Sequence, residues 1–135
     1  MTLRHRHLLL ALLIGGLASP ATAADKPTVR FSRDILPLLA RKCFICHGPA
    51  DQEAGLALHL RERAIGKTDS DHRAIVPGRP DQSHLLARVR SSDPDTRMPH
   101  EGPPLSRDEI SRLEAWIAQG ARYEKHWSFV VPGRT

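Results

Sequence analysis

Apolar positions along the chain fall into three helical stretches separated by polar, proline-rich ones. Ile35, Leu38 and Leu39 share one face just ahead of Cys43. Asp34 suits the N-cap of this first helix, because Pro37 then falls at N3, where its missing N–H costs no helical bond. Ser32 as N-cap would set Pro37 deeper and remove one. Gly48-Pro49 stops the helix. A second helix over about 82–90 buries Leu85, Leu86 and Val89, and Asp93-Pro94 ends it. The third is the clearest. Ser106 and Glu109 make a capping box, Ile110, Leu113, Trp116 and Ile117 form a stripe at helical spacing, and Gly120 stands where a left-handed C-terminal cap belongs.

The stretch from Gly55 to Leu60 alternates weakly and reads as a loop packed on the core. Residues 66–81 and 91–105, rich in Gly, Pro and Asp, read as loops too. No strong strand and no internal repeat is visible. The predicted class is all-α, a small fold of about three helices with long loops. Loops of this length are uncommon in a compact domain unless they are functional, and wrapping a cofactor is one such function.

The first residues change the picture of the whole. Arg4, His5, Arg6 and His7 precede an uncharged apolar run, Leu8 to Leu17, and Ala21-Thr22-Ala23 fits a small-residue cleavage site. The run is too short for a bilayer core, which needs about 20 residues. Residues 1–23 are therefore expected to be a signal peptide, with no transmembrane segment after its removal and with a periplasmic address. A tail over 24–30, one domain over 31–129 and a C-terminal tail over 130–135 follow. Without Arg4 and Arg6, 18 Lys and Arg face 15 acidic residues. These charges are scattered singly and aromatic residues are few, which argues against a nucleic-acid surface. The mild positive balance suits an acidic protein partner. With three Phe, two Trp, one Tyr and eleven Pro, a large flat cofactor is expected to fill the centre.

Cys43-Phe44-Ile45-Cys46-His47 has the Cys-x-x-Cys-His spacing of c-type haem attachment. Two thiols three residues apart reach the two vinyl groups of a porphyrin, and the adjacent imidazole meets the iron from the same side. Phe44 and Ile45 fit a buried haem edge. Both cysteines of the chain lie in the motif, so none remains for a separate disulfide framework. Export agrees with it, because bacteria attach haem covalently after secretion. Rival readings are weaker. A thioredoxin-type redox pair needs a βαβ surround, and none is visible. A zinc site needs two more ligands, and His59, His72, His84, His100 and His126 fall at no tight ligand spacing. A plain disulfide across two residues is the third rival. For the second axial position, Met98 is the sole methionine after the signal, in a loop stiffened by Pro94, Pro99, Pro103 and Pro104. His100 is its competitor. The other histidines read as solvated polar residues.

Taken together, these segments resemble the planctomycete-type cytochrome c domain. The likeness rests on Phe31-Ser32-Arg33-Asp34-Ile35-Leu36-Pro37, Cys43 to Pro49, Gly55-Leu56, Val76-Pro77-Gly78 and Ser83-His84-Leu85-Leu86. It continues through Arg97-Met98-Pro99, Leu105-Ser106, Trp116 to Ala121 and His126-Trp127-Ser128-Phe129. The resemblance implies a class I cytochrome c-like fold around one covalent haem c, with His47 as proximal and Met98 as distal axial ligand. A carrier of single electrons between redox partner proteins follows, rather than an enzyme. The alternatives are a haem sensor, an electron-entry module of a larger enzyme, or a haem-free interaction module.

Overall fold

The computed structural model describes residues 27–124. The expected signal peptide, His126 and the C-terminal tail lie outside the described residues.

The first helix starts earlier than the apolar pattern predicts. Phe31–Ile35 forms a π-helical turn that runs directly into α1, Leu36–Lys42. The N-cap is Arg30, not Asp34. Asp34 still caps, but from inside the helix: its carboxylate accepts the Arg30 backbone N–H at 2.8 Å. Pro37 explains the change of register. Its ring crowds the carbonyl one turn back, and a widened turn ahead of it relieves that crowding. The Leu36 N–H accordingly reaches back five residues, to the Phe31 carbonyl.

Among the described residues four α-helices follow, α2 Phe44–His47, α3 Arg61–Ile65, α4 His84–Arg90 and α5 Arg107–Ala118, with short 3-10 turns at Glu53–Gly55 and Pro80–Gln82. The hydrophobic pattern does not announce α3, which buries only Ala64. Among the described residues there is no strand, only two isolated bridges, His47 with Gln52 and Lys67 with Arg73. The all-α class stands.

Ile35, Leu38 and Leu39 pack with Leu86 and Val89 of α4 and with Leu113, Trp116 and Ile117 of α5 in one buried cluster that also takes in Leu58 and Ile75. Each such side chain contributes about 1.5–3 kcal/mol of burial. The scarce aromatics are concentrated here. The Phe31 ring lies 5.6 Å from Trp116 and 4.3 Å from Tyr123, with Trp116 and Tyr123 5.3 Å apart. Both polar tips are satisfied: Trp116 Nε1 donates to the Arg122 carbonyl at 3.1 Å and the Tyr123 hydroxyl donates to that of Leu58 at 3.0 Å. The described chain thus fills its own centre, and room for a cofactor lies beside that core rather than in it.

Helix α5 is closed at both ends. At its start, Glu109 N–H donates to Ser106 Oγ at 3.2 Å while the Glu109 carboxylate accepts the Ser106 N–H at 2.8 Å. At its end, Gly120 N–H bonds the Ile117 carbonyl and Ala121 N–H bonds that of Trp116, at 2.9 and 3.0 Å. These two bonds make a Schellman motif, with Gly120 in the left-handed region at φ 99°.

Two predictions follow from these caps. Gly120→Ala should lower stability by about 1 kcal/mol in urea denaturation, because a Cβ disfavours that backbone conformation. Asp34 is held down to about 2, first by the Arg33 guanidinium and then by the Arg30 N–H. A carboxylate depressed in the folded state stabilises above its ordinary 3.8, and the contribution is lost as pH falls towards about 2. The stability gap between wild type and Asp34→Asn should therefore shrink across that window; a gap constant with pH would contradict the assignment.

Candidate functional site

The turn carrying the two cysteines hangs from the end of α1. Cys43 caps that helix, its N–H bonded to the Leu39 carbonyl at 2.8 Å, and its own carbonyl then receives the N–H groups of Cys46 and His47 at 3.3 and 2.9 Å. The His47 carbonyl accepts the Leu58 N–H at 2.9 Å, which fastens the turn to the 55–60 loop. One short helical turn therefore fixes all three residues of the motif.

That turn forms one end of a cleft beside the core. The cleft encloses about 170 Å³ and opens to solvent. Cys43, His47 and Met98 all line it. Its apolar walls come from Leu56 and Leu58, Ala74, and Leu85 and Val89 of α4. Met98 reaches the cleft on a backbone held in place, its N–H donating to the Arg88 carbonyl at 3.0 Å. Loop residues ahead of it are tied as well, with the Arg97 N–H on the Asp93 carbonyl at 2.8 Å. Cys46 is half-buried and does not line the cleft.

Three sequence expectations change. Ile45, read as covering a haem edge, is 82% exposed. Two residues of helix turn a side chain by about 200°, so Ile45 faces away from the side shared by Cys43 and His47. His100, the competitor for the second axial position, is exposed and does not line the cleft. The histidine that lines it besides His47 is His84, with Arg88 one turn further on and Thr68 and Ser70 from the preceding loop. The one signal for His84 and Arg88 in the sequence was their spacing of four, in register with Leu85 and Val89.

The electrostatics separate the rival chemistries. Burial pushes the Cys43 thiol up to about 11. Cys46 is also raised, first by partial desolvation and then by the Glu53 carboxylate. A redox pair of thioredoxin type needs the opposite shift. Among the described residues no group of three or more His, Cys, Asp or Glu could hold a metal ion. His47 Nδ1 is buried without a hydrogen-bond partner. Two thiols and an imidazole on one turn, a thioether in the same cleft and apolar walls make a donor set that fits a c-type haem.

Among the described residues, all-α packing thus sets the Cys43–His47 turn and Met98 at one apolar cleft. Residues 43–102, from the cysteine motif to beyond Met98, match the family model for planctomycete cytochrome C. The similar segments further out, Phe31 to Pro37 and Leu105 onwards, lie outside the match. No curated protein and no solved structure matches the chain.

The raised thiols give a direct check. In the haem-free chain, Cys43 and Cys46 should both react with iodoacetamide at neutral pH more slowly than free cysteine, Cys43 the slower of the two. A thiol reacting faster than free cysteine would restore the thioredoxin-type reading.

Proposed function

We propose that this chain holds one covalently attached haem c through thioether bonds from Cys43 and Cys46. His47 is its proximal and Met98 its distal axial ligand, and the protein carries single electrons outside the cytoplasm. What supports this reading above all is that Met98, far along the chain from the cysteine motif, lines one largely apolar cleft with Cys43 and His47. When bound, the haem iron supplies the one-electron couple.

The chain's own residues shape that couple. The soft sulfur of Met98 favours the reduced state and raises the potential. Leu56, Leu58, Leu85 and Val89 give the cleft apolar walls, which further disfavour the more highly charged oxidised form. With both axial positions taken, no site is left for a substrate, which suits a carrier rather than an enzyme. The tether from Met98 to the Arg88 carbonyl opposes release of the ligand, as a gas sensor would require.

Export rests on the signal-like residues 1–23, and the address is periplasmic. No helix among the described residues is long and apolar enough to cross a membrane. The partner is a redox protein. Complementary charge brings such partners together quickly, and the positive balance of the chain favours an acidic one.

The test uses protein from a host that matures c-type haem. Haem should stay on the polypeptide through denaturation in acid and organic solvent, and Cys43→Ala with Cys46→Ala should abolish that retention. Ferric wild type should show the weak far-red sulfur-to-iron band. Met98→Ala should lose the band, lower the potential and open the iron to carbon monoxide, whereas His100→Ala should change none of these. Haem retained by the double variant would refute the attachment, and a low-spin spectrum disrupted by His100→Ala alone would move the ligand to His100.

A further inference from the structure

The cleft is not apolar on every side. Helix α4 contributes two adjacent rows to its wall, Leu85 with Val89 and His84 with Arg88, each pair four residues apart. Arg88 is half-buried. Its neighbour Arg90, on the same helix, ion-pairs with Glu114 at 2.7 Å. Among the described residues no carboxylate pairs with Arg88, and its side chain makes no hydrogen bond. A guanidinium partly withdrawn from water with no counter-charge is unfavourable unless an anion joins it.

The other polar groups on this wall narrow the choice of donor. Thr68 Oγ1 lies 3.0 Å from Ser70 Oγ and 3.0 Å from the His72 carbonyl, so those hydroxyls are engaged with each other and with the loop. His84 is held edge-on by the His72 ring, 4.3 Å away. Arg88 and His84 are left as the groups that can donate into the cleft. A ligand that suits both rows of α4 is apolar over most of its surface and carries carboxylates along one edge.

We infer that the Arg88 side chain, with His84 beside it, anchors the propionate carboxylates of the bound porphyrin and so fixes which edge of the ring enters this side of the cleft. This rests on the haem reading above. Arg88 then acts twice at one place, since its backbone carbonyl holds Met98 while its guanidinium holds the ring edge. Being a cation near the iron, it also favours the added electron and raises the reduction potential. Only the side chain changes in Arg88→Gln, so the bond to Met98 is kept.

The experiment uses matured holoprotein carrying carbon-13 at the propionate carboxyl carbons, read by reduced-minus-oxidised infrared difference spectra and by potentiometry. Arg88→Gln should shift the labelled carboxylate bands and lower the potential, and Arg88→Lys should restore most of both. Arg90→Gln, the same charge change on the same helix, should move neither. His84→Gln gives a second reading, a smaller shift of the same bands. Labelled bands that respond no more to Arg88→Gln than to Arg90→Gln would overturn the inference, even if the potentials fell. Failure of the haem reading would appear separately, as wild-type protein that loses haem on denaturation.

Discussion

One backbone hydrogen bond, from the Met98 N–H to the Arg88 carbonyl at 3.0 Å, joins the two halves of the site. On one side is the cysteine turn, fixed by the end of α1. On the other is a proline-rich loop with little secondary structure of its own. Tying that loop to α4 brings a thioether into the cleft that His47 also lines. A thioether binds iron weakly and cannot itself order a mobile loop. The ordering has to come from the chain, through the Arg88 carbonyl and the turn that carries the Arg97 N–H to Asp93.

Core and cleft share the same helices but divide their faces. Leu86 of α4 points into the buried cluster with Leu113 and Ile117, while Leu85 and Val89 serve both the cluster and the cleft. Phe31, Trp116 and Tyr123 lie together in the cluster and none of them lines the cleft. The helices therefore have a packing reason to meet at these angles without anything in the cleft. This is how a chain of few aromatics reaches a defined fold: it spends them at one crossing. The cleft, with aliphatic side chains along much of its wall, is left beside that core.

Much of this was legible in the sequence where a local rule sufficed. The capping box at Ser106 and Glu109, the α5 stripe and the Gly120 cap all depend on residues within one or two turns, and each stands as read. The Cys43–His47 spacing is local in the same way, and it sets two thiols and an imidazole on one helical turn. The start of the first helix was misread because the rule for Pro37 presumes an α-helical turn, and the chain answered with a wider one. Helix α3 escaped notice because five residues with one buried alanine carry no periodicity. The polar side of the cleft was invisible for a different reason. His84 and Arg88 look like solvated residues on a short helix, and only the fold of 66–83 around α4 gives them a shared enclosure. The exposure of Ile45 follows from the helical phase of the turn, which an apolar residue type alone does not reveal.

The central claim is that His47 and Met98 meet one iron from the two sides of this cleft. Proton NMR of the reduced, matured protein tests it most directly. A methionine bound to low-spin ferrous haem lies over the porphyrin ring, and the ring current moves its methyl signal far upfield of every other resonance. The account predicts one such three-proton signal in wild type, absent in Met98→Ala and unchanged in His100→Ala. A reduced protein with intact covalent haem but no upfield methyl signal would show that another residue holds the iron, and would contradict it.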